Sequence, residues 1–167
     1  MLPAPVWVLV PLYAAVWIAI HFRSGYLAHL MPRGWFDPRA PLYRTRRFER
    51  EGRLYRAVGV HRWKDALPEA GNFFAGGFSK RSFAGAEAAY LDRYLAETCR
   101  AEASHWISAS LSLTFFLWNP WYVGLFMIAY GLVTNLPFII VQRYNRPRVA
   151  RLERAAARRG QPRRSSS

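Results

Sequence analysis

The chain has 167 residues, of which 52% are hydrophobic, and its 24 Lys and Arg against 10 Asp and Glu give a net charge of +14. The basic residues are segregated: residues 1–22 and 101–142 contain none, whereas 15 lie in residues 23–100 and nine in residues 143–167. A soluble domain scatters its charges to cover its surface, and a nucleic-acid-binding protein needs no long apolar segments beside its basic ones. The single Cys99 excludes an internal disulfide and a cysteine-based metal site within one chain. The pattern predicts an integral membrane protein that binds no nucleic acid.

The first apolar segment, residues 4–22, carries no formal charge if His21 is neutral. At 1.5 Å per residue it rises about 28 Å, close to the ~30 Å hydrocarbon core of a bilayer. It predicts an N-terminal membrane anchor over residues 1–22. The alternative is a cleaved secretory signal, but such a signal starts with positive charge, and the first basic residue here is Arg23.

The second apolar block, residues 106–142, is too long for one crossing and slightly short for two straight ones. Asn119-Pro120 lies inside it, and this dipeptide starts turns and breaks helices. We therefore predict a membrane hairpin broken at Asn119-Pro120, either re-entrant or crossing twice.

Charge predicts the topology, because Lys and Arg near membrane ends favour the cytoplasm. A basic region at 23–105 follows the anchor, and a basic tail at 143–167, with a disordered end, follows the hairpin. Both flanks are then cytoplasmic and the amino terminus is outside. The overall prediction is an all-α, multi-pass protein of the cell membrane.

The region between the membrane segments is predicted to be helical and interfacial. Residues 46–58 have the pattern of a basic amphipathic helix interrupted at Gly52, suited to an anionic membrane surface. Residues 72–83 place four phenylalanines around two glycines, which suits an interfacial loop. No internal repeat or glycine-rich phosphate-binding motif is present.

Residues 85–106 show the clearest helical periodicity, with Tyr90, Leu91, Tyr94, Leu95 and Thr98 at i, i+3 and i+4 spacing. At 100° per residue, Glu97, Glu102 and His105 project from the same half of this helix as the apolar residues. A purely solvated helix would place its carboxylates on the opposite side.

His105 is the candidate general base. Glu102, three residues earlier, can meet it on the helix surface, where a carboxylate would orient the imidazole and stabilise its protonated form. The alternatives are an interfacial histidine with Glu102 paired to an arginine, and a metal site with an incomplete ligand set. His61 and Asp65 form H-x-x-x-D, one residue short of the H-x-x-x-x-D motif of many glycerolipid acyltransferases.

A second constellation lies at the end of the last apolar segment. Asn135 is inside an apolar helix, where polar groups are costly and often functional. Arginines just beyond it would suit a phosphate, a carboxylate or the pyrophosphate of a coenzyme; the alternative is a basic stop that contacts lipid headgroups. The polar residues of this group are Asn135, Gln142, Arg143, Tyr144, Asn145 and Arg146.

Four segments resemble the glycosyl-4,4'-diaponeurosporenoate acyltransferase family of staphyloxanthin biosynthesis. They read FEREGRLY (48–55), RWK (62–64), ETCRAEASHWIS (97–108) and NLPFIIVQRYNRPR (135–148). The resemblance implies a small membrane enzyme that esterifies a fatty acyl group onto a sugar hydroxyl of a glycosylated carotenoid acid. It places Glu97, Arg100, Glu102 and His105, together with the polar residues of 135–146, at matching motif positions.

This resemblance leads to a predicted mechanism without a bound cofactor or metal. His105, oriented by Glu102 or Glu97, takes a proton from the acceptor hydroxyl, which attacks an acyl thioester, with acyl-CoA as the expected donor. Arg143 and Arg146 would hold the donor phosphates, and Asn135 or Tyr144 would donate to the oxyanion. The alternatives are acyl transfer to another glycolipid or phospholipid, and a non-catalytic protein that organises lipid or partner subunits.

Overall fold

The computed structural model describes residues 5–67 and 88–160. In these two stretches the secondary structure is helical, without strands, as the sequence predicts. The α-helices are α1 (Val6–Leu30), α2 (Arg53–Ala57), α3 (Val60–Trp63), α4 (Ala88–Leu111) and α5 (Trp121–Gly160), and 3₁₀ helices occupy Arg33–Trp35, Arg47–Gly52, Lys64–Ala66 and Ser112–Leu117. The interfacial loop predicted at 72–83 and the residues after Gly160, for which the sequence predicts disorder, lie outside the described residues.

The chain divides into two compact units. One contains Met1–Met31 and Ala103–Pro137, and the other contains Pro32–Glu102 and Phe138–Ser167. They are called the α1 unit and the α2–α3 unit below.

Helix α1 extends eight residues beyond the end of the predicted anchor, since it continues past Phe22 to Leu30. It ends where Pro32 restricts the preceding residue, and Met31 accordingly has extended backbone angles. The hydroxyl of Ser24 donates to the carbonyl oxygen of Ile20 at 2.7 Å, which satisfies this buried polar group within the helix.

In the part of the chain that the structure describes, two helices are long and apolar enough to cross a membrane, over Trp7–Leu30 and Trp121–Arg158. Many of their large apolar side chains are exposed, among them Trp7, Val10, Ile18, Phe22, Trp121, Leu125, Phe126 and Val133. Extensive exposed apolar surface of this kind is typical of a face that contacts lipid or another protein. Membrane association is therefore indicated by both composition and exposure.

The core of the α1 unit forms around Trp17, which packs with Ile20, Phe115 and Met127. The indole of Trp17 stacks on Phe115 with ring centroids 5.6 Å apart, and its Nε1 donates to Met127 Sδ at 3.5 Å. Gly131 is required by this packing. A Cβ at that position would lie 2.8 Å from the Trp17 ring and 3.1 Å from Ser112 Cβ, so any side chain would force the helices apart.

The turn before α5 coincides with the predicted break, because α5 begins at Trp121, directly after Asn119-Pro120. The Asn119 side chain holds this turn. Its amide donates to the carbonyl oxygen of Phe115 at 2.9 Å and its Oδ1 accepts a hydrogen bond from the Tyr13 hydroxyl. The membrane hairpin predicted for this block, either re-entrant or crossing twice, stays a prediction.

Helix α5 does not end where the predicted membrane segment ends, but continues for 18 residues beyond Gln142 to Gly160. Residues 150–159 are rich in Ala, Arg and Leu, which have high helix propensity. The basic tail therefore begins as a direct continuation of the apolar helix.

In the α2–α3 unit, α4 buries the face that its periodicity predicts. Leu91, Tyr94 and Leu95 pack with Val149 of α5, and Thr98 is completely buried. A second cluster joins Tyr55 and Val60 to Tyr144. Gly52, at the junction before α2, has a φ of +89°, a backbone conformation that glycine adopts without strain.

Candidate functional site

His105 and Asn135 form a hydrogen-bonded pair inside the α1 unit. The Nδ1 atom of His105 lies 2.9 Å from Oδ1 of Asn135. The Asn135 amide nitrogen donates to the carbonyl oxygen of Gly131 at 2.8 Å, which fixes the orientation of the amide. Asn135 is completely buried and His105 is half-buried. The sequence analysis selected both residues but did not predict that they pair.

This geometry selects one form of the neutral imidazole. Because Oδ1 of Asn135 is only an acceptor, Nδ1 of His105 must carry the proton, and the lone pair of the neutral ring is then on Nε2. A positioned imidazole with its lone pair on one nitrogen and its other nitrogen held by an acceptor is the arrangement of a general base. The pair can therefore accept a proton from a hydroxyl at Nε2.

A second polar pair lies in the same unit, where Oγ of Ser108 is 3.0 Å from Nδ1 of His21. The sequence analysis selected neither residue for the candidate site. Ser108 follows His105 by three residues on α4, which gives these two side chains a common face, but no local pattern connects Ser108 with His21, 87 positions away.

Glu102, Arg143, Arg146 and Glu49 form a buried ionic network within the α2–α3 unit. The two Glu102 oxygens accept hydrogen bonds from Arg143 Nε at 2.8 Å and from Arg146 Nη2 at 2.6 Å. Arg143 Nη1 also donates to Glu49 Oε1 at 3.0 Å. Two carboxylates thus balance two guanidinium groups, and the side chains of Glu102 and Glu49 are 0% and 1% exposed.

The remaining nitrogens of both arginines also bind protein acceptors. Arg143 Nη2 donates to the carbonyl oxygen of Leu42 at 3.0 Å, and Arg146 Nη1 donates to that of Tyr43 at 2.6 Å. Arg146 Nε donates to the Thr98 hydroxyl at 3.2 Å. Every guanidinium nitrogen of this network is therefore used inside the protein, as buried charges require.

Glu49 was not selected from the sequence, although it is an acid within a strongly basic segment. Its carboxylate accepts hydrogen bonds from the Tyr55 hydroxyl, the Arg46 backbone amide and Arg143. Burial opposes ionisation, but these hydrogen bonds and the charge of Arg143 outweigh it, so the pKa of Glu49 is lowered. Burial and the hydrogen bond to Glu49 correspondingly raise the pKa of Tyr55.

The lowered pKa of Glu49 predicts a loss of stability in acid. A carboxylate with a depressed pKa stabilises the fold above its unfolded pKa of about 4.5, and the effect is lost as pH falls through the folded value. Glu49→Gln should lower the free energy of unfolding by about 1.5–3 kcal/mol at pH 7, and the difference from the wild type should shrink below about pH 4.5. Denaturant titration in detergent between pH 7 and pH 3 measures both; a pH-independent difference would contradict this prediction.

The other predicted site residues lie in the α2–α3 unit. Glu97 pairs with Arg100, whose guanidinium lies 4.9 Å from the Phe36 ring centroid. Gln142 and Tyr144 are buried, and the Tyr144 hydroxyl accepts a hydrogen bond from Arg148 at 3.0 Å. Asn145 is half-buried.

Cys99 is completely buried, and burial is the main reason that its pKa is raised to about 11. The thiolate is the nucleophilic form of cysteine, so this thiol is unreactive at neutral pH. Within residues 5–67 and 88–160, no group of three or more His, Cys, Asp or Glu side chains is arranged to hold a metal ion.

Comparison with known proteins assigns the class. A relative from Staphylococcus aureus strain RF122 / ET3-1, glycosyl-4,4'-diaponeurosporenoate acyltransferase, is 30% identical over 146 residues, covering 87% of this chain and 88% of its own length. The proteins of the same name from strains USA300 and Newman are 30% and 29% identical over the same coverage. No solved structure matches the chain. The protein is an acyltransferase.

The family follows from a second finding. The family model described as glycosyl-4,4'-diaponeurosporenoate acyltransferase matches residues 32–155. The chain belongs to this family, as the resemblance in the sequence indicates.

Proposed function

We propose that the protein transfers a fatty acyl group to a sugar hydroxyl of a glycosylated carotenoid acid, with glycosyl-4,4'-diaponeurosporenoate as the first acceptor to test. The name of the relatives supports this acceptor. The observation that carries the chemistry is the His105–Asn135 pair, which presents an oriented imidazole beside apolar helices.

In the proposed reaction, Nε2 of His105 takes the proton of the acceptor hydroxyl. The oxygen of that hydroxyl attacks the carbonyl carbon of an acyl thioester at the same time. The new C–O bond forms, the C–S bond breaks, and the imidazolium returns its proton to the departing thiolate. The donor is an acyl-CoA. Transfer is direct, since the buried Cys99 with its raised pKa does not supply a nucleophile.

Asn135 orients the base in this proposal, in the role that the sequence analysis gave to Glu102 or Glu97. Two observations support the change. Nδ1 of His105 is hydrogen-bonded to Asn135, and both Glu102 oxygens are hydrogen-bonded to arginines. The Asn135 amide nitrogen is bound to Gly131, so this residue is assigned to positioning rather than to the oxyanion. The predicted role of Tyr144, a hydrogen bond donated to the oxyanion, stays a prediction.

We also propose that the amino terminus faces outward and the basic segments face the cytoplasm, in a cell-membrane protein that meets its acceptor in the bilayer. The distribution of basic residues supports this orientation. An epitope at the amino terminus should be accessible to antibody on intact spheroplasts without permeabilisation. Accessibility only after permeabilisation would reverse the orientation.

The decisive experiment is acyl transfer by the purified protein in nanodiscs. We expect labelled acyl-CoA to give an ester of glycosyl-4,4'-diaponeurosporenoate, detected by mass spectrometry, and no ester of the matched carotenoid acid that lacks the sugar. If the ester forms on a different glycolipid or on a phospholipid instead, the proposed acceptor is wrong and the proposed acyl transfer is retained. Absence of ester on every acceptor, with folded protein, would overturn the proposal.

A further inference from the structure

A basic cavity lies within the α2–α3 unit, and its lining does not include the histidine used in the proposed reaction. It has a volume of about 350 Å³, at the lower end of the range of small-molecule sites. Six of its eight described lining residues are basic: Arg53, Arg56, His61, Lys64, Arg148 and Arg151. Among the described residues no carboxylate lines the cavity, and five of its side chains carry a formal positive charge.

Packing holds one wall of this cavity in place. Tyr144 is 5% exposed and is fixed by Tyr55 and Val60. Its hydroxyl accepts a hydrogen bond from Arg148 at 3.0 Å, and the Arg148 guanidinium lies 5.3 Å from the centroid of the Tyr144 ring. Stacking and hydrogen bonding thus orient Arg148 before any ligand arrives, which lowers the entropic cost of binding.

The cavity differs from the ionic network in which described side chains line it, because its lining is basic whereas the network alternates basic and acidic groups. In the network, each arginine is within hydrogen-bond distance of a buried carboxylate. At the cavity, Lys64 pairs with Asp65, whose side chain is 80% exposed and does not line the cavity. Clustered cations repel one another, and an anion with several oxygens relieves that repulsion while using the planar forks of the arginines.

From this arrangement we propose that the cavity binds a phosphate group with at least two negative charges. The same chemistry is offered by a soluble phosphate ester or pyrophosphate and by the headgroup of an anionic phospholipid. The site uses neither His105 nor Asn135, so the proposal goes beyond the acyl transfer proposed above and does not depend on it.

The test is titration of the full-length protein in neutral detergent with pyrophosphate, and separately with short-chain phosphatidic acid and phosphatidylcholine, by calorimetry. Saturable binding of pyrophosphate identifies a soluble phosphate as the ligand. If phosphatidic acid binds and neither pyrophosphate nor phosphatidylcholine does, the ligand is the headgroup of an anionic lipid. Absence of both overturns the proposal.

Two double variants distinguish binding at this cavity from general attraction of an anion to the positive charge of the protein. Arg56→Gln with Arg151→Gln removes two charges from the cavity and should weaken binding at least about tenfold. Arg154→Gln with Arg158→Gln removes the same charge from exposed positions of α5 outside the cavity, and should change affinity less than about twofold. Equal weakening in both double variants would contradict a defined site.

A readout on the unmodified sequence keeps the test independent of variant folding. Lys64 is partly buried at the cavity, so a bound ligand should protect it from acetylation by a water-soluble N-hydroxysuccinimide ester. Peptide mass spectrometry with and without the ligand found by calorimetry measures this protection. Unchanged acetylation of Lys64 at saturating ligand would place binding elsewhere and overturn the proposal.

Discussion

Replacing His105 with glutamine should lower kcat by about 10²–10⁴-fold, the usual contribution of a general base. Glutamine retains a polar side chain of similar size but cannot accept the hydroxyl proton at neutral pH. KM should change little, because the proposed role is in the transition state rather than in binding. Steady-state acyl transfer in nanodiscs measures both constants.

His29→Gln is the matched control, since it makes the same change at an exposed histidine of α1. It should retain wild-type kcat. A His105→Gln variant that keeps more than half of the wild-type kcat would exclude this residue as the base while leaving the acyltransferase assignment intact.

The same pair allows a test of positioning. Asn135→Leu removes the acceptor for Nδ1 of His105 and should lower kcat about 10²-fold, because a misoriented base is ineffective. Asn135→Asp retains an oxygen acceptor and should recover part of that loss, which a purely structural role would not produce. Thr114→Val, which removes a hydroxyl bound to the carbonyl oxygen of Leu111, is a control within the same unit.

Breaking the buried network should have the largest effect on stability. Glu102→Gln removes the carboxylate that Arg143 and Arg146 share, so that Glu49, which contacts Arg143, is the one carboxylate left in the network. Removing one partner of a buried ion pair costs about 3–5 kcal/mol, since the other charge stays buried without compensation. Denaturant unfolding in detergent measures the loss.

A double-mutant cycle separates this effect from general disruption. Glu102→Leu combined with Arg146→Met removes one charge of each sign and should cost clearly less than the sum of the single variants. The exposed pair Arg33–Asp92, whose side chains are 55% and 64% exposed, is the control, and its disruption should cost at most about 1 kcal/mol. Additive losses across the cycle would contradict a coupled network.

Local sequence patterns predicted those parts of the fold that depend on neighbours along the chain. The i, i+3, i+4 spacing of α4 identified Leu91, Tyr94 and Leu95 as its buried face, and all three are buried. Asn119-Pro120 gave the start of α5 because proline and a side-chain hydrogen bond act within a few residues. Helix type and breaks were therefore accessible from sequence.

Long-range pairing was not accessible in the same way. The amphipathic pattern of residues 46–58 gave no reason to connect Glu49 with Arg143, which is 94 positions away. The arginines after Gln142 were predicted to hold the phosphates of the acyl donor, with a basic stop that contacts lipid headgroups as the alternative. Their charge alone cannot distinguish a solvated arginine from one that is 3% exposed and bound to a buried carboxylate, as Arg146 is.

The buried cysteine makes this protein convenient for site-specific labelling. Burial raises the pKa of the Cys99 thiol, so little of it is ionised at pH 7, and burial also shields it from reagents. An introduced cysteine at an exposed position, such as Ala155→Cys, would react first with an impermeant maleimide and report which side of the membrane it occupies. Cys99 itself would react only when its surroundings open, so the native chain carries its own reporter of unfolding.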